Sequence, residues 1–270
     1  MRTLTKLIAM AAAAATLSAC ATGRTEQEQA MADDLIQRAS IVPASQAERQ
    51  AIRSQDMLTQ AAFWAEAHEL NPADLEAATE LSRVLRRIGQ SQRAAEVARQ
   101  AMALHPQDMD LQLAYGTALT ESGHGPRAIE SLTRVSMARP DDWRVMNILG
   151  VAYEQAGLRA QSREKYQAAL MISPGEPSVL SNLALSYAFD GQAEQAERIL
   201  REAMIRPNAE ATVRQNLALV IALQGRFEEA EAMARVDVSP QTAEANMSYV
   251  RAMLTTGRRW DAISDSSGMR

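Results

Sequence analysis

Residues 143–176, WRVMNILGVAYEQAGLRAQSREKYQAALMISPGE, and residues 177–210, PSVLSNLALSYAFDGQAEQAERILREAMIRPNAE, are two copies of one 34-residue pattern. Each has a glycine at its fifteenth place (Gly157, Gly191) and a proline near its end (Pro174, Pro207). Outward from this pair the pattern continues. Gly89, Gly123, Gly157, Gly191 and Gly225 are spaced strictly by 34, and Pro72, Pro106, Pro140, Pro174, Pro207 and Pro240 by 34 or 33. A fixed period of this length marks one supersecondary unit copied along the chain. Glycine closes a helix through a left-handed residue, and proline cannot continue one. Each unit therefore reads as helix, glycine turn, helix, proline break.

Packing residues recur in the same phase. A small residue stands eight places into each unit (Ser82, Gly116, Gly150, Ala184, Ala218), and another stands early in the second helix (Ala94, Ala128, Ser162, Ala196, Ala230). Larger ones are expected to fill the gaps between units: Leu85, Leu119, Tyr153, Tyr187 and Ile221 in the first helices, Leu132, Tyr166 and Leu200 in the second. Offsets of three and four are the helical signature. This in-phase pattern resembles the tetratricopeptide repeat family over residues 41–254. The resemblance implies an all-α, right-handed superhelical solenoid of antiparallel helix pairs. The expected layout is a degenerate repeat at 41–74, five clear repeats at 75–242, a capping helix at 243–254 and a flexible tail at 255–270.

The start of the chain reads as an address. Arg2 and Lys6 precede an apolar run, Leu7 to Leu17, too short to span a bilayer. Leu17-Ser18-Ala19-Cys20 then resembles a bacterial lipobox, which implies a signal peptide at 1–19, lipidation of Cys20 and a polar tether at 20–40. An ordinary secretory signal with a chance cysteine is the alternative. Cys20 is the chain's one cysteine, so no intramolecular disulfide can form. Ala21 follows it where retained inner-membrane lipoproteins often carry Asp, so the expected place is the outer membrane, facing the periplasm. Cleavage before Cys20 leaves 26 basic against 33 acidic residues, a net charge of −7. That balance disfavours nucleic acid as a partner and leaves membrane attachment to the lipid.

No chemistry announces itself. His68, His105 and His124 share no metal-ligand spacing, Gly123-His124-Gly125 follows no strand, and no phosphate-binding loop or nucleophile elbow is present. The expectation is no enzyme, no catalytic residue, no metal and no cofactor. In tetratricopeptide arrays the first helices line a groove, and the resemblance assigns to it the second, fifth, ninth, twelfth and thirteenth places of each unit. That places Arg83, Arg86 and Arg87 at one end, with Arg83 and Arg87 as readers of carboxylates. Leu185, Phe189, Leu219 and Leu223 would hold an apolar segment at the other, unless the chain's own cap and tail cover them. Asn182 and Asn216 recur in phase, but asparagine is frequent there in the family, and no special role is assigned to them.

One further stretch narrows the resemblance. LALVIALQGRFEEAEAMA (217–234) and EANMSYVRAML (244–254) are similar to the C-terminal part of the TadD family, the tetratricopeptide lipoproteins of Tad (Flp-type) pilus systems. This implies a scaffold or assembly lipoprotein whose groove recruits or stabilises the secretin or another pilus component. A pilotin-like or scaffold lipoprotein of another secretion or polysaccharide-export system is the alternative.

Overall fold

The structure, a computed structural model, describes the backbone of residues 45–266 and side chains up to Thr255. The expected signal peptide, Cys20 and the tether at 20–40 lie outside the described residues, as does the side chain of Trp260. The described residues form thirteen helices, and the chain divides into two compact units, Met1–Arg53 and Ser54–Arg270. In the first unit, α1 (Gln46–Ile52) starts at a reciprocal cap: the Glu48 backbone donates to Ser45 Oγ, and the Ser45 backbone donates to Glu48 Oε2.

The second unit opens with α2 (Met57–Leu70) and continues as five helix pairs. These are α3 (Leu75–Arg87) with α4 (Ser91–Leu104), α5 (Met109–Glu121) with α6 (Gly125–Ala138), and α7 (Trp143–Gln155) with α8 (Arg159–Ile172). Then come α9 (Pro177–Phe189) with α10 (Ala193–Met204), and α11 (Ala211–Leu223) with α12 (Phe227–Ala234). The final helix is α13 (Pro240–Ser266). This array is all-helical, and each of its helices packs on its neighbours in the chain.

The glycine comb has a plain cause. All five glycines have φ between 73° and 83°. At the middle turn Gly157 N–H donates to Glu154 O at 2.9 Å, and Leu158 N–H reaches back to Tyr153 O at 2.9 Å. This closes the carbonyls left open at the end of α7 and reverses the chain into α8. Each first helix starts on an acidic residue one place ahead of the unit. Asp74, Asp108 and Asp142 accept from the first-turn amides at 3.0, 2.8 and 3.0 Å, and Glu176 does so at 3.4 Å.

The small residue at the eighth place works within its own unit. A Cβ on Gly116 would stand 2.6 Å from Leu132 Cγ, and one on Gly150 would stand 2.5 Å from Tyr166 Cε1. Thus Leu132 and Tyr166, expected to fill gaps between units, press into the first helix of the same pair. The other departure is at the C-terminus. Pro240 does not break a helix there; it opens one, where its missing N–H costs nothing. Ser239 Oγ accepts from Thr242 N–H at 3.2 Å, and the helix expected over 243–254 runs on through Ser266.

Candidate functional site

Within the second unit, successive first helices (α3, α5, α7, α9, α11) and α13 touch one another, whereas successive second helices do not. The array therefore bends toward its first helices, and these line its inner face. The side chains of that face are tied across units by a rule. An interaction joins the fifth or twelfth place of one first helix to the sixth or thirteenth place of the next, so partners lie 35 residues apart. Asn182 Nδ2 donates to Asn147 Oδ1 at 3.0 Å, and Asn216 Nδ2 donates to Ser181 Oγ at 2.8 Å. At the other end of the helices, Gln155 Nε2 donates to Thr120 O at 2.9 Å while its Oε1 accepts from Gly125 N–H at 2.8 Å.

Arg86 belongs to this ladder. Its Nε and Nη2 hold both carboxylate oxygens of Glu121, at 2.8 and 2.6 Å. Arg83 is also engaged, donating to Glu80 Oε2 at 2.7 Å and toward Gln60 Oε1 at 3.4 Å. Two of the three arginines expected to line this end of the groove thus already hold carboxylates of the chain. Arg87 is exposed and makes no ion pair among the described residues.

The apolar end is partly open. Phe189 is 56% exposed. Leu185, Leu219 and Leu223 are half-buried against the C-terminal core, to which α13 contributes Met247 and Val250. The last helix therefore covers part of the apolar surface and leaves part open. Leu219, Gln215, Met247 and Tyr249 line a pocket of about 290 Å³ between α11 and α13. At the starts of α7, α9 and α11 lies a second pocket of about 310 Å³. Trp143, Asn182, Val213 and Asn216 line that one, with Glu176 and Glu210 at its edge. The asparagines given no role from sequence are thus in the wall of a cleft, held by the ladder. Their in-phase recurrence was the available signal.

The shifted groups that stand out at the surface are held by ion pairs. Burial alone would raise the Glu197 carboxyl, but hydrogen bonds from Gln224, Arg201 and Arg226 outweigh it and hold the group below its ordinary value. The Arg99 guanidinium, with the Gln100 amide, pulls Glu96 down to about 2. Each is an ion pair with a structural partner. Among the described residues no cluster could hold a metal ion, and no helix is long and apolar enough to cross a membrane.

Family models of the tetratricopeptide repeat match residues 85–149, 177–202 and 211–235. Among solved structures, a thermophilic tetratricopeptide protein of Thermus thermophilus is similar at 19% identity and a TM-score of 0.57, over 66% of this chain and 98% of that one. MamA from Desulfovibrio magneticus is similar at 21% identity and 0.52, over 58% and 88%. These likenesses speak for the fold. A comparison with curated protein sequences finds no significant match. Over the matched residues the repeats are of the tetratricopeptide type, and the array has the fold of such a solenoid, a kind of architecture suited to protein–protein interaction.

Proposed function

We propose that the inner face from α7 to α13 captures an extended protein segment, with backbone amides against the asparagine wall and an apolar side chain beside Leu219 and Tyr249. The single observation that carries this is that helix α11 lines both pockets, with asparagines in the wall of one and Leu219, Met247 and Tyr249 in the wall of the other. Concave sites with mostly apolar lining and a few fixed polar groups are where ligands bind. Arg87 at the far end, which makes no ion pair among the described residues, adds a weak preference for acidic residues upstream or downstream of that segment.

In this reading the protein is an outer-membrane lipoprotein, lipidated at Cys20 and facing the periplasm. Its groove recruits or stabilises the secretin or another component of a Tad-type pilus. The Leu17–Cys20 motif supports the address, and the 217–234 and 244–254 stretches support the system. The alternative partner is the corresponding component of another envelope secretion or polysaccharide-export apparatus. The test is a strain lacking the gene, complemented with the wild-type chain or with Leu219→Asp. Wild-type complementation is expected to restore secretin multimers and piliation, and Leu219→Asp to restore neither at equal protein level. Normal multimers in the uncomplemented strain would sink the pilus assignment. Full rescue by Leu219→Asp would sink the groove.

A further inference from the structure

The outward faces of the second helices stand clear of one another, and three of them share an unusual feature. Met137 on α6, Met171 on α8 and Ile205 just past α10 occupy the same place in consecutive units, 34 residues apart. They are 71%, 84% and 79% exposed. A lone exposed methionine needs no explanation, but a row in phase over three units does.

The charges beside the row are ordered as well. Along α6 the exposed stripe leading to Met137 is Arg127, Glu130, Arg134; along α10 the stripe leading to Ile205 is Glu194, Arg198, Glu202. Level by level the signs are opposite. Between them α8 shows Ala168 and Met171, with Glu164 neutralised by Lys165 at 3.2 Å. A surface that reads plus, minus, plus, apolar on one flank and minus, plus, minus, apolar on the other is complementary to itself. The two-fold axis that achieves this lies along α8. Rotation about it keeps the helix direction and reverses the order of the units, so α6 of one copy faces α10 of the other.

We propose that this outer face binds a second copy of the chain, in an isologous dimer centred on α8. Two outward-bending surfaces come closest on the axis, where the small Ala168 and the adaptable Met171 lie. They diverge on the flanks, where the long arginine and glutamate side chains reach across. Arg127, Glu194 and Arg198 make no ion pair within the described residues. The pairs that do exist, Glu130–Arg134 and Glu202–Arg206, are exposed, and such pairs are readily exchanged. A bilayer carrying anionic lipid fits less well, because Glu130, Glu194 and Glu202 would all be driven toward it. This dimer is independent of the groove, which lies on the opposite face.

Thiol crosslinking of the full-length chain tests the geometry, because Cys20→Ser removes its only native thiol. Met171→Cys, on the axis, is expected to give a crosslinked dimer with a short bis-maleimide. Met137→Cys alone, about 20 Å from its own copy at about 10 Å per unit, is expected to give none, whereas Met137→Cys with Ile205→Cys gives it again. Glu130→Arg should weaken self-association about tenfold, and adding Arg198→Glu should restore it. No dimer from Met171→Cys, equal crosslinking from Met137→Cys alone, or no rescue by the charge swap would each overturn the proposal. If Met171→Cys forms no dimer but a polarity-sensitive dye on its thiol responds to phosphatidylethanolamine–phosphatidylglycerol vesicles, a bilayer covers the row and the second copy does not.

Discussion

Gly150 and Tyr166 show how closely one residue is held by its pair. A methyl group at Gly150 would meet the tyrosine ring at 2.5 Å, with Tyr166 itself 2% exposed and unable to swing away. Gly150→Ala is therefore expected to destabilise the array by about 1–3 kcal/mol, the usual cost of overpacking. In a Tyr166→Leu background the same change should cost less, as a denaturation midpoint would show. His68 supplies a residue-scale pH effect. Burial lowers its pKa below the ordinary 6.5, and the nearby Asp74 carboxylate only partly offsets this. Below that value the unfolded chain takes up a proton that the folded one resists. Stability from this group is complete above about pH 6.5 and is lost as pH falls toward the folded value. A His68→Gln variant should show a flatter fall of the unfolding midpoint between about pH 7 and 5; an unchanged slope would remove the histidine from the account.

At the scale of the element, the glycine and proline combs made the helix pairs readable from sequence, because a turn needs its special residue at a fixed place in every unit. The acidic caps Asp74, Asp108, Asp142 and Glu176 form a third comb of the same kind. The inner face was harder to read for a specific reason. Neighbouring first helices pack one residue out of step, so the partner of a groove residue lies 35 residues away and falls outside an in-phase comparison. Arg86 was expected to await a ligand because Glu121, in the thirteenth place, does not align with it in the twelfth. Arg86→Ala should accordingly lower stability by no more than about 1 kcal/mol, as for a partly exposed pair, and leave partner capture intact. A pull-down that loses the partner would return Arg86 to the groove. The extent of α13 was also illegible, since a proline expected to close the fifth repeat instead starts the last helix. Ala243, Met247 and Val250 seal the end of the core on one face of that helix. Val250→Asp should therefore open α11 and α12 to amide exchange while α3 to α6 stay protected, because stability in a stacked array passes only between neighbours. Uniform loss of protection along the chain would contradict that.

At the scale of the whole molecule, the repeat sorts its surfaces by helix. First helices touch one another and make the inner face; second helices do not, and their clear outer sides carry the Met137, Met171 and Ile205 row. The fully buried Leu132, Tyr166 and Leu200 of the second helices lie between the two faces. Sites on opposite sides of such a wall have no common partner group, so their substitutions should act additively. The expected result is a double dissociation. Leu219→Asp abolishes capture of the partner segment and leaves crosslinking through Met171→Cys unchanged, while Glu130→Arg weakens that crosslinking and leaves capture by each single copy unchanged. One effect would still cross over: a dimer presents two grooves, so a partner carrying several copies of its segment gains avidity without any new contact. Loss of the dimer should then weaken binding to a multimeric partner far more than binding to the isolated segment. Paired titrations of wild type and Glu130→Arg, against the free peptide and against the assembled multimer, measure that difference. Equal losses for both ligands would mean that the outer face acts on the groove itself and that the wall between them transmits strain.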